Sequence, residues 1–143
     1  MLIIRAAEPQ QLRNNWGFVE EGLNAVIRKT HAEFIAADVY AAIMAQRVWL
    51  YWVIDGEYTI GFVVLSDLVD TYTGKKTLFA EQVYFDPKYM RDNLPEELDA
   101  ALEELAVKCG CKSLEGNSPR MGAGRRLRRL GYQPVTVTYK RDL

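Results

Sequence analysis

Hydrophobic positions in this chain recur with two different periods, and the changes of period mark out its elements. Leu2–Ile4 is a short apolar run stopped by Arg5, which predicts a first strand. Pro9 suits the first turn of a helix, where its missing N–H is not needed. Leu12, Trp16, Val19, Leu23 and Val26 follow at spacings of three and four. That stripe predicts one helix, with Asn14, Asn15, Glu20, Glu21 and Arg28 largely on its other side. A shorter helix is expected from about Ala36 to Gln46, burying Val39, Ile43 and Tyr40.

Val48–Ile54 is apolar at every position but changes face at every residue, as a strand covered on both sides does. Asp55-Gly56 is a tight-turn signal, and Tyr58–Leu65, rich in β-branched residues, returns as its antiparallel partner. Thr71 to Lys76 reads as a polar loop with Gly74 at a positive-φ position.

The stretch from Leu78 to Gly116 organises the rest. Leu78–Phe85 is a strand, and Leu94, Leu98, Leu102, Leu105 and Cys109, widened by Ala101 and Ala106, stripe one long helix. Asn93 stands at its N-cap, Pro95 in its first turn, Glu96 where a capping box puts a carboxylate, and Gly110 at its end. Lys112–Glu115 is a brief strand, so the unit predicts a crossover between two parallel strands. A last helix starts at Arg120 or Met121, turns Ala123, Leu127 and Leu130 inward, and ends at Gly131. Val135–Tyr139, alternating Val and Thr, is expected as a closing strand. The order β-α-α-β-β-β-α-β-α-β describes an α/β (α+β) fold: a mixed, mostly antiparallel sheet with helices on both faces.

Residues 1–143 are enough for one domain with a real core. No apolar run approaches the roughly 18–20 residues that span a bilayer. The N-terminus has no basic region followed by an apolar core, and the two cysteines are too close to staple a fold, so the expected compartment is a reducing cytoplasm. His31 is the sole histidine, and Cys109-Gly110-Cys111 offers at most two ligands, so no metal site is expected; both thiols are read as buried. Net charge is only −1, but Arg120–Arg141 holds no acidic residue while Glu81–Glu115 leans acidic. The basic stretch reads as a solvated helix face. The other reading is an anion- or nucleic-acid-binding face through Arg125, Arg126, Arg128 and Arg129, for which no interleaved aromatics supply stacking.

The element order, with IIRAAEP at Ile3–Pro9, DGEYTIGFVVLS at Asp55–Ser66, VYFDP at Val83–Pro87 and RRLRRLGYQPVTVTYKR at Arg125–Arg141, resembles the GNAT superfamily of acetyl-CoA-dependent N-acetyltransferases over essentially the whole chain. The small size and compact motif set also resemble GNAT-like proteins carried by bacteriophages. The resemblance implies acetyl-CoA with its pyrophosphate at the start of the long helix, on a loop of the type Arg/Gln-x-x-Gly-x-Gly/Ala. The residues it points to here are Val83, Phe85, Lys88, Arg91, Asn93, Leu94 and Asn117. It implies Glu81, the only carboxylate in Leu78–Phe85, as the general base. The tyrosine that reprotonates the thiolate in that family falls at Leu127 here, leaving Tyr132 as a substitute, with Tyr139 read as packing.

The stretch that should hold pyrophosphate, Lys88 to Glu97, departs from the pattern. It has no glycine, Pro95 deletes a donor, and Asp92, Glu96 and Glu97 place carboxylates where phosphates would sit. A like-charge contact at about 4–6 Å costs on the order of 1–4 kcal/mol, which is roughly one to three decades in affinity. Three functions are expected in descending order. The first is a non-catalytic binding or accessory protein, such as a virion component, with a degenerate acetyl-CoA site. The second is an N-acetyltransferase using Glu81, and the third an anion binder using the arginine helix. Partners are then a protein or a second copy rather than nucleic acid.

Overall fold

The computed structural model describes residues 2–117 and 121–143, and side chains throughout except those of residues 121–123. Arg120 and the inward-facing side chain expected of Ala123 lie outside the described residues.

Among the described residues, five strands form one sheet in the order β1 (Leu2–Ala6), β2 (Trp49–Asp55), β3 (Tyr58–Val69), β4 (Lys76–Phe85) and β5 (Ser113–Gly116). The first four pair antiparallel, and β5 joins β4 in parallel. Helices α1 (Pro9–Asn14), α2 (Trp16–Thr30) and α3 (Ala36–Met44) cover one face; α4 (Leu94–Lys108) covers the other; α5 (Met121–Arg129) follows β5. The two-sided apolar pattern of β2 divides as its period requires. Val53 packs with Leu94, Leu98, Leu102 and Ala106 of α4, whereas Leu50 and Trp52 pack with Leu12, Val19 and Leu23 of α1 and α2. Each fully buried side chain of this size contributes about 1.5–3 kcal/mol.

Several local choices explain these boundaries. The single helix expected from Pro9 is two, divided at Asn15, whose backbone leaves the helical region (φ −116, ψ 20) and whose side-chain amide donates to the Gln11 carbonyl at 2.8 Å. In the loop before β4 the Asp70 carboxylate accepts from the Tyr72 and Thr73 N–H groups at 2.9 and 2.8 Å, and Gly74 takes φ +69. A Cβ on Gly22 would lie 2.6 Å from both the Phe62 and Tyr84 rings, so α2 approaches the sheet at van der Waals distance there. A Cβ on Gly61 would strike the Tyr84 carbonyl, so β3 and β4 also meet closely.

Three expectations need correction. Cys109 is not buried: it is the exposed C-cap residue of α4, and only Cys111 packs into the core. Asn93 stands at the N-cap, but its side chain makes no capping bond, and no capping box with Glu96 forms. The closing strand is not formed. Val135, Val137 and Tyr139 are 76, 72 and 91% exposed, and no strand is assigned after α5. Alternation supplies strand propensity, but a strand also needs an edge to pair with, and propensity alone does not offset the entropy of ordering.

Candidate functional site

The site is organised by the second half of β4. Its parallel ladder with β5 runs from Thr77↔Ser113 to Ala80↔Gly116 and stops. One residue later the antiparallel ladder with β3 shifts register: Leu65 opposes Ala80, Val64 opposes Gln82, and Glu81 opposes neither. Glu81 is therefore the extra residue of a β-bulge, which bends a strand and increases its local twist. From Glu81 to Phe85, β4 keeps its ladder with β3 on one side and has none with β5, which ends at Gly116, on the other. Glu81 is exposed one residue past the last β4–β5 pair; Val83 is exposed beyond it, and Phe85 is half-buried against the α4-side core. A bulge leaves no composition signal, and no sequence pattern marked this one.

After β4 the chain makes a short 3₁₀ turn, Pro87–Tyr89, capped by Asp86, whose carboxylate accepts from the Lys88 N–H at 3.2 Å. The Lys88 ammonium lies 5.1 Å from the centre of the Tyr89 ring, which in turn stacks on Tyr58. Arg91 is the central residue of this entrance. Its guanidinium bonds Glu97 in the first turn of α4 and, at 3.2 Å, Asp55 Oδ2 from the end of β2. These partners hold the Arg91 pKa still further above its ordinary value. Asp55, 36 residues earlier in the chain, was read from sequence only as a turn residue; its place beside Arg91 is a tertiary fact.

The resulting electrostatics are anionic. Asp55 and Glu97 hold Arg91, and Asp86, Asp92 and Glu96 flank the same short stretch of chain, so carboxylates outnumber Lys88 and Arg91 there. The Leu94 N–H points to the Arg91 carbonyl at 3.4 Å, and Pro95 has none to give. The Leu94 side chain is wholly buried in the core, so it is not available to a ligand. A nucleotide pyrophosphate does not fit these residues well: the arginine that could meet it is already held by two carboxylates.

A groove of about 830 Å³ lies between α4, β5, α5 and the C-terminal segment. Tyr132 and Asn117 both line it. The Tyr132 hydroxyl donates to Asp99 Oδ1 at 2.6 Å, and burial, followed by Asp99 itself, pushes the phenol pKa well above its usual range. Its proton is thus committed to α4. Leu127, half-buried, lines the same groove. The described arginines of α5 (Arg125, Arg126, Arg128 and Arg129) are all exposed. Among the described residues no cluster of three or more metal-ligating side chains occurs, and no helix is long and apolar enough to cross a membrane.

A sheet antiparallel from β1 to β4 with β5 added in parallel, covered by α1–α3 on one face and α4 on the other, is the GNAT acetyltransferase fold. Solved structures match this chain over nearly its whole length. A GNAT family acetyltransferase from Staphylococcus aureus superimposes with a TM-score of 0.70 at 14% identity, covering 99% of this chain and 98% of its own. A ribosomal-protein-alanine N-acetyltransferase from Brucella melitensis gives 0.75 at 17% identity, covering 99% of each chain. An aminoglycoside N-acetyltransferase solved in complex with CoA gives 0.68 at 19% identity, covering 99% of this chain and 95% of its own. No family model matches the sequence, and no curated protein matches it.

Proposed function

We propose that this chain is a GNAT-fold protein that acts by binding, in an accessory role independent of acetyl-CoA. The observation that carries this reading is the Asp55–Arg91–Glu97 cluster across the entrance to α4. An anion arriving there must displace Glu97 or Asp55 from Arg91 and then tolerate their freed charges alongside Asp92 and Glu96. A bacteriophage-borne or virion-associated setting belongs to the same proposal and is supported by the sequence likeness alone. Titration calorimetry with acetyl-CoA up to millimolar concentration tests it. Heats that never saturate are expected, and saturable binding in the micromolar range overturns it.

One observation favours a second reading, an N-acetyltransferase of unidentified amine substrate: Glu81 stands on the bulge where β4 leaves β5. In that reading Glu81 accepts the proton of the attacking amine. Glu81→Gln then abolishes most turnover while leaving the unfolding midpoint unchanged. Equal turnover in both proteins removes Glu81 from the mechanism.

A further inference from the structure

Helix α4 ends in a turn that carries both cysteines of the chain, and hydrogen bonds fix its backbone from two sides. The Gly110 N–H donates to the Val107 carbonyl at 3.1 Å, and the Cys111 N–H to the Ala106 carbonyl at 2.8 Å. With Gly110 at φ +75 this is a Schellman closure, and Cys111 holds the position whose side chain folds back onto the last turn. Lys76, the first residue of β4, brackets the turn from outside. Its ammonium donates to the Cys109 carbonyl at 3.3 Å, and its carbonyl accepts from the Lys112 N–H at 2.8 Å. The two thiols stand in opposite settings: Cys109 is exposed, whereas Cys111 is 8% exposed in the core cluster of Leu98, Leu102 and Ala106. Burial raises the Cys111 pKa, Lys76 lowers it and Cys109 raises it again, so the two sulfurs already sense one another. A chain turned at its middle residue keeps Cα atoms two positions apart within the roughly 4.4–6.8 Å that a disulfide spans.

We propose that Cys109 and Cys111 form a reversible disulfide under peroxide, a redox switch at the joint between α4 and β5. The Cys109 thiolate attacks one oxygen of hydrogen peroxide and breaks the O–O bond. Cys109 becomes a sulfenic acid, and the other oxygen leaves as hydroxide, which takes up the thiol's proton to give water. The Cys111 sulfur then attacks the Cys109 sulfur, and its proton departs with the sulfenic hydroxyl as a second water. Two thiols are oxidised and one peroxide is reduced. To reach Cys109, the Cys111 sulfur swings out of the core, and the bonded backbone of the turn does not follow to refill the space. Cys111 and Ala106 also line the groove beside β5, so oxidation alters a wall of that groove. A disulfide between residues two apart is strained and therefore easily reduced, which makes the change reversible.

Hydrogen peroxide added to the native full chain, followed by mass mapping, reads the bond. The tryptic peptide Cys109–Lys112 holds both thiols. It is expected to lose two hydrogens, equally in dilute and concentrated protein, and to regain them with dithiothreitol. The melting midpoint of the oxidised protein should fall by about 2–4 °C or more and recover on reduction. Cys109→Ser changes only an exposed residue, so it should fold as wild type does and keep its midpoint in peroxide. The inference is overturned if the peptide gains oxygens instead of losing hydrogens, or if the disulfides formed join two chains. It is equally overturned if the bond forms without moving the midpoint, or if peroxide lowers the midpoint of Cys109→Ser by the same amount.

Discussion

Tyr132 reaches across from the corner after α5 to donate its hydroxyl proton to Asp99 on α4, at 2.6 Å. The residue before it, Gly131, takes φ +92, and the Tyr132 N–H returns to the Leu127 carbonyl at 3.0 Å. The corner is therefore held from both sides, by its own helix end and by α4. Tyr132→Phe should lower stability by about 1.5–3 kcal/mol, the range for a hydrogen bond to a charged acceptor.

The same contact has a pH signature. The folded protein favours the neutral phenol, so the Tyr132 pKa lies above its unfolded value. Between those two values unfolding releases a proton, and stability falls as pH rises. Urea unfolding should show wild type losing its advantage over Tyr132→Phe above about pH 10, the ordinary tyrosine pKa. A constant difference between the two proteins from pH 8 to beyond that point contradicts the assignment.

If charge is what keeps phosphates from α4, removing it should invite them. Glu96→Gln combined with Glu97→Gln takes away two carboxylates and releases Arg91 from one partner. Affinity for coenzyme A should rise by about tenfold or more, within the span expected for relieved like-charge contacts. The gain should shrink with added salt. Unchanged affinity in calorimetry would mean that missing glycines, rather than charge, bar the ligand.

Two glycines in α2 should respond oppositely to the same substitution. At Gly22 an alanine methyl meets the Phe62 and Tyr84 rings at 2.6 Å, so Gly22→Ala should destabilise by about 1–3 kcal/mol. At Gly17 nothing lies within 4 Å, and Gly17→Ala should stabilise by about 0.5–1 kcal/mol through helix propensity. Thermal melts of both variants check the pair.

The two cysteines should separate by reactivity. Cys109 is exposed at the end of α4, while Cys111 is buried, and burial raises its thiol pKa despite Lys76 nearby. A thiol reagent at neutral pH should modify one cysteine quickly in the native protein and both in denaturant. Peptide mapping should find the fast label on Cys109.

What the sequence determined by itself is everything that a local period encodes. The stripes of α2 and α4, the double-faced run of β2, the turn at Gly56 and the parallel crossover from β4 to β5 were legible because adjacent residues carry the signal. The acidic, glycine-free character of Lys88–Glu97 was legible for the same reason. Tertiary structure alone decided the rest. Asp55 meets Arg91, and Tyr132 meets Asp99, across separations of 36 and 33 residues that no periodicity spans. The bulge at Glu81 depends on how β4 registers against β3. Val135–Tyr139 has the composition of a strand yet forms none, because composition supplies only the propensity and pairing is decided by where the tertiary structure places the run.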